Sequence, residues 1–231
     1  MDLTPDRVLA NLREVRARIA AAAGRSGRAP PAVRLVAVTK TVGPETVRVL
    51  VGAGQADVGE NHAQAIRDRS RDLADLSVRW HMIGPLQRNK VKYVVPACAM
   101  IHSVDSEAVL AEIAKRAAAA GARADCLLEV NISGEASKHG IRPEEARAAA
   151  EAAAARPSVR LAGLMTMPPL VDDAETVRPI FAALRDLRDR LNREAALAEP
   201  LAELSMGMTQ DYEVAIEEGA TIVRVGTALF R

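Results

Sequence analysis

Residues 34–40 have the sequence RLVAVTK, a run of aliphatic residues that ends on a lysine. Such an uninterrupted apolar run is typical of a strand that is buried on both faces of a parallel sheet. It follows the polar loop of residues 24–31, and a helical pattern starts after it at Pro44, where proline suits the first helical turn. Together they predict one strand–helix unit of an α/β fold.

The same unit recurs along the rest of the chain. Strands are predicted at residues 34–39, 57–59, 79–83, 100–103, 125–130, 160–165, 202–205 and 221–225. Helices are predicted to start near Pro44, Asn61, Gln87, Ser106, Pro143, Asp173 and Thr209. This alternation predicts a closed (β/α)8 TIM barrel. The alternative is an open, doubly wound sheet, but no GxGxxG motif follows the first strand to support dinucleotide binding.

An additional helix is predicted at the N-terminus, over residues 4–23, with Thr4 as its cap and Gly24 as its end. Its apolar residues recur at helical spacing, at Val8, Leu12, Val15 and Ile19. The chain has 231 residues, of which 49% are hydrophobic, and this is enough for one sizeable core. Residues 1–231 are therefore predicted to form a single α/β barrel domain that carries this extra helix.

The composition argues against several classes of protein. The 31 basic and 30 acidic residues nearly cancel and aromatic residues make up only 2%, so neither phosphate contacts nor base stacking favour a nucleic-acid partner. Two cysteines, Cys98 and Cys126, are too few for a disulfide framework and lack metal-ligand spacing, which indicates a reducing environment. The sequence shows neither a signal peptide nor an apolar run near the roughly 20 residues that span a bilayer. We therefore expect a cytoplasmic protein without a membrane partner.

The loops that follow the strands of a parallel barrel converge at one mouth, so functional residues are expected there. The residues found at these positions are Lys40, Glu60, Asn61, Gly84, Ser103, Asn131, Thr166, Ser205, Met206, Gly207, Gly226 and Thr227. At the mouth of a low-dielectric barrel, Lys40 would have its ammonium form disfavoured, and its amine could form an imine with an aldehyde. The alternative is a strand-end lysine whose charged group simply reaches solvent.

Two segments combine a hydroxyl group with glycine beside the last two predicted strands, residues 204–209 (LSMGMT) and residues 223–227 (VRVGT). Glycine lets backbone N–H groups approach an anion, and Thr209 is predicted to open a helix whose N-terminus favours negative charge. The loops after strands seven and eight form the recurrent phosphate site of TIM barrels. We favour a phosphate site here; the alternative is that the glycines only form turns.

Arg224 lies inside an apolar predicted strand, where a charge is costly unless it is paired. Strand alternation directs it away from the side occupied by Val223 and Val225, so Arg224 is predicted to point into the barrel. The alternative is a salt bridge to a neighbouring acid, Glu129 or Glu203.

The histidines form no recognisable motif. His81 lies on a predicted strand near the mouth, where it is either a hydrogen-bonded core residue or a ligand contact. The other three are scattered along the chain, at His62, His102 and His139. No metal site is therefore predicted. Met165 and Met167 are predicted to fill the barrel.

Nine short motifs occur in order along nearly the whole chain. They are residues 37–41 (AVTKT), 59–61 (GEN), 80–87 (WHMIGPLQ), 102–105 (HSVD), 129–131 (EVN), 138–140 (KHG), 163–167 (GLMTM), 204–208 (LSMGM) and 224–230 (RVGTALF). In this combination the sequence resembles the pyridoxal phosphate homeostasis proteins, the YggS/PROSC family. The set is highly specific for that family.

The resemblance implies a barrel similar to the N-terminal domain of alanine racemase, with pyridoxal 5'-phosphate (PLP) as its cofactor. Lys40 would form a Schiff base with PLP, and Arg224 would lie at the pyridine nitrogen. The phosphate would be held by Ser205, Gly207, Gly226 and Thr227, and further contacts would come from Asn61 and Met206. An amine and an anion site at one mouth suit an aldehyde that bears a phosphate.

The function that the resemblance implies is intracellular PLP homeostasis without robust catalysis, by a monomer whose partners are PLP-dependent apoenzymes. An arginine at the pyridine nitrogen would keep it unprotonated and weaken the ring as an electron sink. One alternative is an amino-acid racemase, which needs a base on each face of the cofactor; neither Tyr93 nor Tyr212 is obviously placed as the second base. Another is an aldolase in which Lys40 attacks a sugar phosphate.

Overall fold

Eight parallel strands close into a barrel in the computed structural model, which describes residues 3–135 and 138–231. The strands are β1 (Arg34–Val38), β2 (Asp57–Glu60), β3 (Arg79–Met82), β4 (Cys98–Val104), β5 (Ala124–Glu129), β6 (Val159–Met165), β7 (Glu203–Ser205) and β8 (Ile222–Val225). Each strand pairs with the next along the chain, and β8 pairs with β1, so that Val36 lies opposite Arg224. The prediction of a (β/α)8 barrel is confirmed.

Helices follow the strands and form the outer layer. They are α1 (Pro5–Arg25), α2 (Pro44–Gly52), α3 (Ala63–Asp72), α4 (Val91–Val94), α5 (Glu107–Ala119), α6 (Ala146–Ala154), α7 (Arg178–Glu194), α8 (Tyr212–Glu217) and α9 (Thr227–Phe230). Short 3-10 turns precede three of them, at Arg88–Lys90, Pro143–Glu145 and Ala174–Val177. The helices predicted near Gln87, Pro143 and Asp173 therefore begin with a tighter turn than the sequence pattern indicated.

The N-terminal helix α1 binds the segment that follows β8, the strand that closes the barrel by pairing with β1. Thr4 caps it as predicted, because its hydroxyl oxygen accepts a hydrogen bond from the backbone N–H of Arg7 at 3.3 Å. Gly24 does not end it: the helix continues to Arg25. The Asn11 side-chain amide donates to the carbonyl oxygens of Leu229 and Arg231 at 3.1 and 2.9 Å. These bonds tie α1 to α9, the segment that directly follows β8.

Two element boundaries differ from the prediction in ways that affect the mouth. Strand β4 begins at Cys98 and ends at Val104, beyond both ends of the predicted run 100–103. The helix predicted to open at Thr209 begins instead at Tyr212. Asp211 holds the preceding turn, because its carboxylate accepts the backbone N–H of Met208 at 2.6 Å. Thr209 therefore lies in a turn, and the helix-terminus argument for an anion at this residue is wrong.

The core is aliphatic on both sides of the strands. The interior of the barrel contains a separate apolar cluster of Val36, Met100, Leu127, Ala162, Met165 and Ile222. The larger cluster lies between the strands and the helices and includes Val223 and Val225. Met165 thus fills the barrel as predicted, whereas Met167 is 38% exposed, so that prediction is wrong for Met167.

Gly163 in β6 is expected to be intolerant of a side chain, because a Cβ there would lie 1.8 Å from the carbonyl oxygen of Glu203 in β7. Gly163→Ala should lower the free energy of unfolding by about 1–3 kcal/mol, measured by urea denaturation. Gly52→Ala is the control, since a Cβ at the end of α2 meets nothing within 4 Å. Equal stability of the two variants would contradict this close approach of β6 and β7.

Candidate functional site at the barrel mouth

A cavity of about 370 Å³ opens at the carboxyl ends of the strands. It is lined by Val38, Lys40, Thr41, Asn61, Ile83, Gly84, Pro85, Met167, Leu170, Met208, Thr209, Gln210, Arg224, Gly226 and Thr227. The structure therefore brings together five of the predicted site residues, namely Lys40, Asn61, Arg224, Gly226 and Thr227. Strands that are far apart in the sequence supply them.

Lys40 directly follows the rigid end of β1. The preceding residue, Thr39, is fully buried, and its hydroxyl group donates to the Glu60 carboxylate at 2.9 Å. Arg69 bonds to the same carboxylate at 2.5 Å and to the Thr39 carbonyl at 3.0 Å. The backbone before Lys40 is thus held on two sides. Lys40 itself is exposed, as in the alternative of a strand-end lysine that reaches solvent.

Asn61, after β2, offers an unused acceptor beside the cavity. Its Oδ1 atom is buried and has no hydrogen-bond partner in the described part of the chain. Gly84, after β3, lies against it so closely that a Cβ would be 2.5 Å from the Asn61 carbonyl oxygen. A buried polar atom without a partner costs roughly 1–3 kcal/mol, which a donor on a bound molecule would recover.

The loops after β7 and β8 meet at the other side of the cavity, but not through all the predicted residues. Gly226 and Thr227 line the cavity, and a Cβ on Gly226 would lie 3.2 Å from the Val38 carbonyl oxygen. Ser205, Met206 and Gly207 are buried and do not line it. The loop after β7 contributes instead its next residues, Met208, Thr209 and Gln210. Of these, Thr209 provides a hydroxyl group.

Gly207 has a structural reason for its position. Its φ of +94° is in the region that favours glycine, and a Cβ there would lie 2.6 Å from the Ala215 Cβ atom. The glycine therefore lets the chain turn from β7 into α8 at close range. The reversal directs the following residues, including Thr209, toward the cavity.

Arg224 reaches the cavity from inside the barrel, as predicted from strand alternation. It is 3% exposed, and its guanidinium donates to the Ser205 hydroxyl at 2.6 Å and to the Thr166 carbonyl at 3.0 Å. Burial lowers the pKa of Arg224 to about 10, so the group stays charged at neutral pH. The alternative of a salt bridge is not observed: Glu129 makes no ion pair with Arg224, and Glu203 pairs with Arg34 at 3.5 Å.

The interpretation of His102 as a scattered residue is wrong, whereas His81 is the hydrogen-bonded core residue that was one of its two predicted alternatives. His81 in β3 and His102 in β4 both point into the barrel, with 2.9 Å between Nδ1 of His81 and Nε2 of His102. Nδ1 of His102 lies 2.8 Å from the Ser205 hydroxyl, and Nε2 of His81 lies 2.8 Å from the Asp57 carboxylate. The sequence contained one indication of this contact. Each of the two histidines lies on a predicted strand, and strand alternation directs both side chains inward.

Glu129, the last residue of β5, is a second buried titratable group near Arg224. It is 5% exposed, and burial, reinforced by the negative charge of Asp105, raises its pKa to about 7. The positive charge of Arg224 opposes this shift. Glu129 therefore changes its charge near neutral pH within the barrel.

The described residues contain no group of three or more His, Cys, Asp or Glu side chains arranged to hold a metal ion. Among residues 3–135 and 138–231, the helices also lack the length and apolar character needed to cross a bilayer. Cys98 and Cys126 are both free thiols.

Comparisons with known proteins agree with this geometry. The family model described as "Alanine racemase, N-terminal domain" matches residues 6–231. A protein of Aquifex aeolicus named pyridoxal phosphate homeostasis protein is 46% identical over 219 residues, which cover 95% of each chain. The chain belongs to the pyridoxal phosphate homeostasis protein family.

Solved structures show the same architecture in relatives of this family. A crystal structure of an unknown protein from Bifidobacterium adolescentis has a TM-score of 0.90 and 38% sequence identity, covering 98% of this chain and 95% of that one. A structure of PipY from Synechococcus elongatus with PLP bound has a TM-score of 0.82 and 35% identity, covering 92% of this chain and 100% of that one.

Replacing Glu129 is expected to change the pH dependence of stability. Because the folded-state pKa is raised to about 7, the stability that the wild-type carboxyl contributes is complete below pH about 4.3 and is lost as the pH rises through 7. The stability of Glu129→Gln relative to the wild type should therefore increase by roughly 2–3 kcal/mol from pH 4.5 to 8. Urea denaturation across this range measures it.

The exposed residue Glu144 provides the control, because Glu144→Gln removes the same carboxylate outside the barrel. Its stability relative to the wild type should stay nearly constant over the same pH range. A constant difference for Glu129→Gln as well would contradict a buried carboxyl with a raised pKa.

Proposed function

We propose that this chain binds PLP in the mouth cavity, holds it as a Schiff base on Lys40, and serves PLP homeostasis without robust catalytic activity. Residues 1–231 would form the single PLP-binding domain. The observation that carries the proposal is the shared cavity, which combines the amine of Lys40, the hydroxyl groups of Thr209 and Thr227, and the Arg224 guanidinium. Membership of the homeostasis family and the PLP-bound structure of PipY support it.

The residues present fit PLP by size and by chemistry. A cavity of about 370 Å³ is within the usual range of about 300–1,000 Å³ for small-ligand sites. An aldehyde requires an amine, and a phosphate requires donors that can approach closely. Lys40 supplies the first and the Gly226–Thr227 segment the second. The unpartnered Oδ1 atom of Asn61 marks a further polar contact that the protein itself does not satisfy.

The residues that hold the phosphate would differ in part from those implied by the family resemblance. Gly226, Thr227 and Thr209 line the cavity and would provide the donors. Ser205 would act on the arginine instead, because its hydroxyl group already lies between His102 and Arg224. Met206 and Gly207 would shape the turn that brings Thr209 to the cavity.

The surroundings of the cavity favour holding PLP over catalysis. PLP supplies an electron sink whose strength depends on protonation of its ring nitrogen. Arg224 is a charged donor that has no proton acceptor to offer, so it would keep that nitrogen unprotonated. The sequence contains two tyrosines, Tyr93 and Tyr212, and neither lines the cavity as a second base for racemisation.

The setting of the proposed function is the cytoplasm, where PLP-dependent apoenzymes would accept the cofactor from a monomeric chain. Both cysteines are free thiols, and burial raises the pKa of Cys98 to about 12. Unreactive thiols without a disulfide suit a reducing compartment.

Lys40→Ala is expected to abolish the visible imine band that the wild-type chain shows after incubation with PLP, because no other lysine among the described residues lines the cavity. Absorbance spectra and peptide mapping after borohydride reduction measure this. Lys115→Ala, on the exposed face of α5, is the control and should keep the band. A pyridoxyl adduct on another residue would refute the assignment, and steady racemisation of alanine by the wild type would refute the non-catalytic role.

Thr227→Ala is expected to weaken PLP binding by about 1.5–3 kcal/mol, because a hydrogen bond to a charged phosphate is lost. Equilibrium dialysis followed by absorbance at the imine band gives the dissociation constant. Thr227→Ser retains the hydroxyl group and should bind PLP nearly as well as the wild type. Equal affinity of the alanine variant and the wild type would count against a phosphate contact at this residue.

A further inference from the structure

A continuous row of hydrogen-bonded side chains crosses the interior of the barrel. It runs from Asp57 through His81, His102 and Ser205 to Arg224, and these five residues belong to β2, β3, β4, β7 and β8. The successive distances between their polar atoms are 2.8, 2.9, 2.8 and 2.6 Å. We refer to these five side chains as the relay.

The relay connects the two ends of the barrel. Arg224 lines the mouth cavity, whereas Asp57 is the first residue of β2 and lines a second cavity of about 320 Å³ at the amino-terminal end. The side chain of Asp57 is 17% exposed, while His81, His102 and Ser205 are each at most 1% exposed. Water therefore has little access to these three middle residues, and their side chains must find their hydrogen-bond partners within the relay.

The chemistry of the two ends, together with a neutral state of both imidazole rings, determines the direction of every bond. The guanidinium of Arg224 can only donate, so the Ser205 oxygen accepts from it, and the Ser205 hydroxyl then donates to Nδ1 of His102. The ionised carboxylate of Asp57 can only accept, so Nε2 of His81 donates to it. Nδ1 of His81 must then accept from Nε2 of His102. With both imidazole rings neutral, each histidine carries its proton on Nε2.

The charges around the two histidines favour this neutral state. Burial lowers the pKa of His81 and lowers that of His102 well below its usual value. The Asp57 carboxylate opposes the shift at His81. The cationic groups that act on one or both rings are Arg34 in β1, Arg79 in β3 and Arg224 in β8.

No residue in the described part of the chain forms an ion pair with Arg224, although the negative charges of Glu129 and Asp211 act on it. Its two hydrogen-bond acceptors, the Ser205 hydroxyl and the Thr166 carbonyl, are neutral. Hydrogen bonds that point in one direction polarise one another, so the negative charge of Asp57 makes the Ser205 oxygen a stronger acceptor. The carboxylate at one end of the barrel thereby acts on the guanidinium at the other.

We infer that Asp57, His81, His102 and Ser205 are positioning residues that orient the Arg224 guanidinium toward the bound PLP, with Asp57, which also pairs with Arg79 at 3.3 Å, as the anionic end of the row. This inference rests on the proposed function, since it concerns how Arg224 meets the cofactor. It makes Asp57, which lies at the opposite end of the barrel from Lys40, a determinant of PLP retention.

The first test uses the chain without PLP, so that it is independent of cofactor binding. Nitrogen-15 NMR of the histidine side chains should show both His81 and His102 as neutral Nε2–H forms from pH 6 to 8. Ser205→Ala should shift the Nδ1 signal of His102, because that atom loses its donor. Asp57→Asn should shift the guanidinium signals of Arg224, although three side chains separate the two residues.

The second test measures PLP affinity with the same variants. Asp57→Asn and Ser205→Ala should each raise the dissociation constant about tenfold and still form the imine on Lys40. Asp125→Asn is the matched control: Asp125 is also a carboxylate near the start of a strand, β5, but it pairs with Arg160 at 2.7 Å and not with the relay. It should leave both the Arg224 signals and the PLP affinity unchanged.

The outcomes separate the two proposals. Suppose that the wild type traps PLP on Lys40 but that Asp57→Asn and Ser205→Ala bind PLP as well as the wild type does. The inference that the relay orients Arg224 is then overturned, and the proposed function stands. If the wild type traps no PLP on Lys40, the proposed function is overturned. The NMR signals then test the inference about the relay by themselves. Arg224 signals that are unaffected by Asp57→Asn would overturn that inference. An equal response to Asp125→Asn would also overturn the inference, since the effect would then follow from any lost carboxylate at that end.

Discussion

The pairing of β8 with β1 is the constraint on which the mouth of this barrel depends. These strands come from distant parts of the chain, and their parallel register sets Val36 opposite Arg224. Because both strands end at the same mouth, Lys40 and the Gly226–Thr227 segment follow them on neighbouring positions of the rim. Helix α1 reinforces this seam through the bonds from Asn11 to the carbonyl groups of α9. An amine and a hydroxyl group thereby line one cavity without a long connecting loop.

In the part of the chain that the structure describes, the interior of the barrel combines aliphatic packing with one buried cation, Arg224. The small cluster around Val36 and Leu127 fills part of this space, and Arg224 lies close by on β8. Neutral hydrogen-bond acceptors surround the guanidinium, which burial alone would destabilise. The row of side chains behind Ser205 satisfies that hydroxyl group and both imidazole rings at once. A polar network of this kind is tolerated in an aliphatic core because each member has a partner.

Family membership and local geometry address different parts of the function. Identity of 46% over nearly the full length establishes the family, and likeness to the solved barrels confirms the architecture. The contacts around the cavity indicate which side chains are available to a ligand. Thr209 lines it, whereas Ser205 is buried on the relay, although both belong to the short segment of residues 204–209. Resemblance to a family motif therefore identifies the loop that reaches the cavity. The direction of each side chain identifies the residues of that loop that a ligand can contact.

The sequence by itself determined the barrel, because the alternation of apolar strands with amphipathic helices is a local property of the chain. It also located Lys40, Asn61, Gly226 and Thr227, since each lies within two residues of the end of a strand. Only the tertiary structure decided that His81 and His102 meet, that Ser205 bonds to Arg224, and that Lys40 is exposed. Those contacts depend on the stagger between neighbouring strands and on the turn before α8. Both are determined by distances within the closed barrel, which local sequence patterns do not encode.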